Sequence, residues 1–557
     1  MKLSYNINIR KFAVIIAILT LLFLVVIPLF LICTYSIYNS GSFHLNSFIN
    51  TILSTEIGST YINTLILSFI VVIVSSIIAV PMAFMVVKTD VKFKKAIDVF
   101  MLIPFMIPPY IESMGWILFM QKRGYLEQLL PSLTFIAPYF FTLAGLVIIM
   151  SLHIFPFMYL SIKNSLIKIN LNLEEASFVH GADFSYTLRK IIFPLLFSSY
   201  AVGALIIFLR TVSEFGAPAT FGRKIGYYVL TTEIYKYVSN WPIDFEKASA
   251  ISLLLTGSCL ILWYFESLIS SKYSYPLLGG KGSKIHLYRL TTPGKFITWI
   301  YIGIVFILSI GIPLLAVILT SIIKIKGLGL VRGNFTLSYY TNLFSKNSDA
   351  SNALLNTFVI SFLAGILTAA LGVFYGLLIG KKRKNIFHKL IDVFSILPNT
   401  VPGIVLVLGL IIFFNNPNMP IPIYNTYGMV ILTYIVLFLP YTVQYVSNSY
   451  VQINSSLEEA GTIFGGNYFF ILRKIILPLI LKAILSGFIM TFIISVRELV
   501  ASLMILPPAM QNSASFIYSQ FEQGSESSGM AMAVITIIMT IILLILLNTI
   551  SNTKKET

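Results

Sequence analysis

Twelve apolar runs divide the chain, near residues 12–36, 61–87, 97–120, 135–160, 195–213 and 248–269, then 297–323, 353–380, 391–414, 428–447, 479–496 and 530–548. A helix needs roughly 20 apolar residues to cross the hydrocarbon of a bilayer, and each run is about that long. The chain therefore reads as an all-α polytopic membrane protein of twelve transmembrane helices. Of its 557 residues 57% are hydrophobic and only 11% are charged, whereas soluble domains carry about 25% charge. A water-soluble enzyme is excluded.

The formal net charge is +17, but the basic residues form short clusters between apolar runs. That pattern orients a membrane protein and does not suit nucleic-acid binding. With the N-terminus in the cytoplasm, most Lys and Arg fall on that side: Lys2, Arg10 and Lys11, the clusters in 88–95, 163–190, 272–295 and 381–389, Arg473, Lys474 and Lys482, and Lys554 with Lys555. Both termini are expected to face the cytoplasm. The basic stretch from Met1 to Lys11 leads into a run too long for a signal-peptide core, so that run is expected to remain as the first span. Cys33 and Cys259 lie inside apolar runs, and no disulfide framework or metal cluster can be built from them.

The chain is also an internal duplication. Ile97-Asp98-Val99-Phe100 with Pro104 and Pro108 recurs 294 residues later as Ile391-Asp392-Val393-Phe394 with Pro398 and Pro402. Asn63-Thr64 recurs as Asn356-Thr357, and Asn164 and Glu214 recur 284 residues later as Asn448 and Glu498. Each half holds six spans, an even number, so the halves are expected to insert in the same orientation as parallel repeats. The expected domains are 1–270, with its core at about 57–270, and 297–557, with its core at about 350–548. Between them lies a cytoplasmic linker, 271–296, containing Gly279-Gly280-Lys281-Gly282 and flexible in composition.

One loop carries the strongest signal. It reads Asn172-Leu-Glu-Glu175-Ala176-Ser177-Phe-Val-His180-Gly181, nine residues, then Ile191-Ile-Phe193-Pro194; its copy reads Ser456-Leu-Glu-Glu459-Ala460-Gly461-Thr-Ile-Phe464-Gly465, nine residues, then Ile475-Ile-Leu477-Pro478. Asn172 with Glu175, and Ser456 with Glu459, match a capped helix start. Gly181 and Gly465 permit a backbone turn that a side chain would forbid, after which a second short helix can begin near Asp183 or Asn467. Arg189-Lys190 and Arg473-Lys474 suit a helix C-terminus, and Pro194 or Pro478 is expected to restart the chain into the next span. An amphipathic interfacial helix would explain one copy. Two copies with matching Glu-Ala, Gly and Pro spacing call for a shared task.

The loop resembles the signature of permease subunits of binding-protein-dependent ABC importers, the type 1 transmembrane domain. The resemblance covers both halves and implies that each short helix docks in a cleft of an ATP-binding subunit. Glu175, Ala176, Gly181 and Pro194, with Glu459, Ala460, Gly465 and Pro478, are the residues so carried over. The departures are Ser177 and Gly461 at the third small position and Phe193 in place of Leu. No Gly-x4-Gly-Lys-Ser/Thr occurs: Gly280-Lys281, Gly294-Lys295 and Gly380-Lys381 are followed by Gly282, Phe296 and Lys382. The chain is expected to hold no cofactor of its own, with ATP and Mg bound by a partner ATPase dimer.

Ionisable residues inside spans are costly and invite a functional reading. Arg210 and Glu214 stand one turn apart and read either as a pair along the helix face or as path residues. The second half has Arg497 and Glu498 at that place, so Glu214 and Glu498 form a matched pair able to line a central path or gate. Glu112 has Leu406 as its counterpart and is a one-sided candidate for the same path. His153 has no neighbouring ligands in sequence and reads as packed or hydrogen-bonded, not as a metal site. Pro104, Pro108, Pro109, Pro398 and Pro402 break spans, as ordinary kinks or at a transport path.

The stretches Ser213 to Gly222 and Arg497 to Met504, with Asn334-Phe-Thr-Leu-Ser-Tyr-Tyr340 and the Gly-Lys-Gly linker, resemble the fused permeases of the ferric-iron importer family. The resemblance implies a bacterial cytoplasmic-membrane importer, not an enzyme, that works with an extracytoplasmic solute-binding protein. Its solute would be ferric iron, or alternatively thiamine, phosphonate or a polyamine. A more distant alternative is an ion-coupled secondary transporter, but the Gly-Asp-Arg-rich loop expected of one is replaced by Lys88-Thr-Asp-Val-Lys-Phe-Lys-Lys95.

Overall fold

The computed structural model describes residues 2–39, 42–43, 45–272, 287–346, 348–380, 385–420 and 422–552. The Gly279 to Gly282 part of the linker lies outside the described residues. In chain order the principal helices are α1 (Lys11–Ile37), α2 (Thr55–Lys88), α3 (Lys94–Met106), α4 (Pro109–Met120), α5 (Leu143–Lys168), α6 (Leu171–Val179), α7 (Ser185–Val212) and α8 (Phe245–Ser270). They recur as α9 (Thr292–Ile322), α10 (Asp349–Gly380), α11 (Ile386–Thr400), α12 (Gly403–Phe414), α13 (Tyr427–Val451), α14 (Ser455–Ile463), α15 (Tyr468–Val496) and α16 (Glu526–Leu547). Side-chain caps start several of them: Ser54 accepts from Ile57 N–H, Thr142 from Ala144 and Thr426 from Met429.

Ten of these helices are long and apolar enough to cross a membrane, or twelve spans result if each bent pair counts as one. The third and ninth runs are the bent pairs. α3 and α4 meet at 91°, and α11 and α12 at 110°. Ile107 and Val401, which precede Pro108 and Pro402, are extended (ψ 130° and 137°). A proline ring disfavours helical backbone in the residue before it, and hydropathy alone does not register that break.

Other prolines are absorbed without a break. Pro28, Pro194, Pro313 and Pro478 each follow by two residues a one-turn π-helix: Leu22–Val26, Leu188–Ile192, Ile307–Gly311 and Leu472–Ile476. A helical proline lacks an N–H and crowds the preceding turn, and the wider i to i+5 turn relieves both problems.

The chain forms two compact units that interleave the halves. One comprises residues 1–53, 234–256 and 336–557; the other comprises 54–233 and 257–335. Thus α1 belongs with α10 to α16, and α9 with α2 to α7. In the first unit Phe23 lies edge-on to Phe413 at 5.0 Å, and Thr20 Oγ1 meets the Tyr375 hydroxyl at 2.9 Å. A Cβ on Gly409 would fall 2.7 Å from the Pro28 oxygen; in the other unit one on Gly115 would fall 2.6 Å from the Pro313 oxygen. The same glycine-on-proline crossing is therefore built twice. Gly372, Gly376 and Gly380 likewise admit Thr442, Val446 and Tyr450 of α13 against α10, the small-residue contact by which helices pack in lipid.

The repeated Asn-Thr pair has a matching task in each unit. Asn63 Nδ2 donates to the Tyr228 carbonyl at 3.3 Å, and Thr64 Oγ1 accepts from Leu230 N–H at 3.0 Å. Asn356 and Thr357 hold Gln511 and Ser513 in the same way, at 2.8 and 2.6 Å. Gly409→Val is expected to lower the thermal midpoint of the purified protein in detergent, reflecting an overpacking cost of about 1–3 kcal/mol. An unchanged midpoint would contradict the close approach to Pro28.

Candidate functional site

The loops after α5 and α13 each hold a short helix, α6 and α14. Asn170 and Asn454 cap them, accepting from the N–H groups of Asn172 at 3.0 Å and Ser456 at 3.1 Å. These caps replace the ones expected at Asn172 and Ser456. Asn170 and Asn454 still have extended backbones (ψ 127° and 134°), as an N-cap requires, so each helix starts upstream of that expectation.

Both helices end on a glycine in the left-handed region, Gly181 at φ +80° and Gly465 at φ +82°. The N–H of Ala182 returns to the Ser177 carbonyl at 3.0 Å, and that of Gly466 to Gly461 at 2.9 Å, closing a Schellman turn. Nothing lies within 4 Å of a Cβ at either glycine, so the requirement there is conformational and not steric. The second short turn forms where expected: Asp183 Oδ1 accepts from Tyr186 N–H and Asn467 Oδ1 from Phe470 N–H, both at 2.8 Å.

From that turn the chain runs on without a stop. Arg189-Lys190 and Arg473-Lys474 lie on the π-turns of α7 and α15, not at a helix C-terminus. Pro194 and Pro478 continue the helix and do not restart it, because the π-turn removes the clash that would have ended it. Glu175, Ala176 and Glu459 are exposed and Ala460 is half-buried. Val179, Ile463 and Phe464 are 83%, 82% and 91% exposed at the helix tips, leaving apolar surface without cover.

The first acid of the doublet matters in a way that sequence reading missed. Glu174 is fully buried and pairs with the buried Lys88, while Glu175 faces outward. The repeated Glu-Glu doublet was the available signal, and sequence alone does not say which member turns inward.

The intramembrane candidates separate. Glu112, in the first turn of α4, is fully buried, and its Oε2 lies 2.8 Å from His153 Nδ1. Its other oxygen has no hydrogen-bond partner among the described residues. His153 is thus hydrogen-bonded, as expected. Arg210 and Glu214 form no ion pair: α7 ends at Val212, so the one-turn spacing does not extend to Glu214. The Arg210 guanidinium instead stands 5.8 Å from the Phe157 ring. Glu214 Oε1 accepts from Gly216 N–H at 2.8 Å, and Glu498 Oε1 from Val500 N–H at 3.0 Å. These matched carboxylates cap the chain where α7 and α15 end, and Arg497 is itself the C-cap of α15. Among the described residues no group of three His, Cys, Asp or Glu side chains is placed to hold a metal ion.

Two stretches of the chain, 75–324 and 372–554, match the family described as binding-protein-dependent transport system inner membrane component. The Fe(3+)-transport system permease protein FbpB 2 of Haemophilus influenzae is 27% identical over 87% of this chain and 89% of its own length. The ferric transport system permease protein FbpB of Actinobacillus pleuropneumoniae is 24% identical over 94% of this chain and 75% of its own. PhnV of Salmonella typhimurium, named for 2-aminoethylphosphonate transport, is 26% identical over 44% of this chain and 90% of its own.

His153→Leu is expected to destabilise the protein by about 1–3 kcal/mol, because it leaves the buried Glu112 carboxyl without its hydrogen-bond partner. The double replacement Glu112→Leu with His153→Leu copies Leu406 and Leu437 of the second half and should recover most of that loss. Thermal midpoints of the three proteins in detergent check the pair; equal midpoints would remove its structural role.

Proposed function

The chain belongs to the family of binding-protein-dependent transport system inner membrane components, and from that premise we propose that it imports ferric iron by ATP-driven alternating access. It is a transport permease and not an enzyme; ATP hydrolysis resides in a separate subunit. It is a multi-pass protein of the cytoplasmic membrane. In the proposed arrangement both termini and both short helices face the cytoplasm, as the Lys and Arg bias favours.

The observation that carries the reading is the pair α6 and α14. Two capped helices end on the same left-handed glycine, expose apolar tips, and run through the next turn into a long helix, α7 or α15. A partner ATPase dimer offers two clefts, and each tip fills one. Because no break separates the short turn from the long helix, closure of the dimer passes through the π-turn to the span. Glu175, Ala176 and Pro194, with Glu459, Ala460 and Pro478, form the docking elements and their continuations. Glu214, Glu498 and Arg497 hold the far ends of the driven helices; Glu112 and Arg210 stand beside the path, and none performs covalent chemistry.

The ferric-named relatives align across both halves, 87% and 94% of the chain, whereas the phosphonate-named relative spans 44%. Likeness to ferric-named relatives over both halves supports iron as the solute, with phosphonate, thiamine or a polyamine as the alternatives. An extracytoplasmic binding protein would deliver it.

Replacing Gly181 and Gly465 by Val places β-branched residues at positive φ, at about 1–2 kcal/mol each. Insertion is expected to persist while ATPase association and ATP-dependent iron uptake in proteoliposomes fall. Uptake at the wild-type rate would overturn the docking role. Uptake by the purified chain alone, driven by a proton or sodium gradient, would replace this reading with the secondary-transporter alternative.

A further inference from the structure

The described end of the linker does not run free to α9. Tyr288 forms a parallel bridge with Thr89 just beyond α2: its N–H donates to the Lys88 carbonyl at 2.7 Å, and its carbonyl accepts from Asp90 N–H at 3.2 Å. Asp90 reaches back to the linker, accepting from Leu290 N–H at 2.9 Å and pairing with Lys295, in the first turn of α9, at 3.1 Å. These contacts hold the Asp90 carboxyl below the usual carboxylate range, the Leu290 N–H most of all.

The same node grips α6. Lys88 and Glu174 are both buried and bonded to each other, so neither charge can be left alone without a large cost. The Tyr288 hydroxyl faces the other Glu174 oxygen at 3.4 Å, and burial with the adjacent carboxylate pushes its pKa up to about 12. It therefore stays a neutral donor at any working pH. All these residues lie in one compact unit.

Among the described residues the arrangement is one-sided. Aligning the π-turns at 22–26 and 307–311 sets 287–291 opposite residues 2–6, which are helical. The extended clasp thus belongs to the connection between halves and is not part of the repeat.

We propose that linker residues 287–291 are a clasp that makes the end of α2, the short helix α6 and the start of α9 one mechanical body. A push on α6 then moves α9, the first span of the second half by sequence, directly. This assignment of positioning residues rests on the docking reading above. Tyr288 and Asp90 touch neither solute nor nucleotide; they set how much of the stroke arrives.

The test is the ratio of iron transported to ATP hydrolysed in proteoliposomes holding the full chain, its ATPase partner and its binding protein, with ferric citrate as probe. Tyr288→Phe combined with Asp90→Ala is expected to lower that ratio about five-fold, the small end of coupling effects, with ATP hydrolysis retained. Tyr288→Phe alone, the milder change, should lower it in the same direction, and Asp90→Glu should restore it toward the wild-type value. An unchanged ratio in both variants overturns the clasp and leaves the docking reading intact. A proportional fall in transport and hydrolysis with a lower thermal midpoint assigns the segment a structural role only and also overturns it. Absence of ATP-dependent uptake by the wild type overturns the docking reading and the clasp with it.

Discussion

A peptide group in hydrocarbon has no water to bond with, so every N–H and C=O in a span needs a partner within the protein. The architecture follows from how this chain meets that demand around its prolines. At Pro28, Pro194, Pro313 and Pro478 a π-turn precedes the proline in a continuous helix, while Pro81, Pro156 and Pro440 lie within α2, α5 and α13 without one. Where the residue before a proline turns extended, at Ile107 and Val401, the span bends by 91° or 110°. The first solution makes continuous rods; the second makes two corners, and Glu112 and its histidine sit beside the first of them.

On the proposed docking role, continuity at Pro194 and Pro478 is what links the two short helices to the spans. α6 and α14 are fixed at their starts by Asn170 and Asn454 and turned at their ends by Gly181 and Gly465. The chain then enters α7 or α15 through a capped turn, so the junction is bonded at each step. Glycine-on-proline crossings tie α1 and α9 into units built mostly from the other half's sequence. Each compact unit therefore contains sequence from both halves.

Much of this was legible in the residues. Apolar length located all twelve runs, because about 20 residues must cross the hydrocarbon, and the paired Gly spacing located both turns, because only glycine adopts φ near +80° at little cost. The bends were less legible: Pro108 and Pro402 were visible, but apolar length is the same for a straight span and a bent one. Glu174 was hidden by its neighbour, since a doublet of acids does not reveal which one meets Lys88. The i to i+4 rule misplaced Glu214 because it assumes a helix that in fact ends at Val212. Membership of α1 and α9 in the opposite units is a non-local packing outcome, and no local pattern encodes it.

The central claim is that α6 and α14 are the surfaces on which a nucleotide-driven partner acts. Amide hydrogen exchange of the full chain in detergent, with and without its ATPase subunit, tests that most directly. Slowed exchange confined to residues 171–181 and 455–465 upon addition of the partner is the predicted result. Unchanged exchange at both loops, in a complex shown by light scattering to have formed, would contradict it.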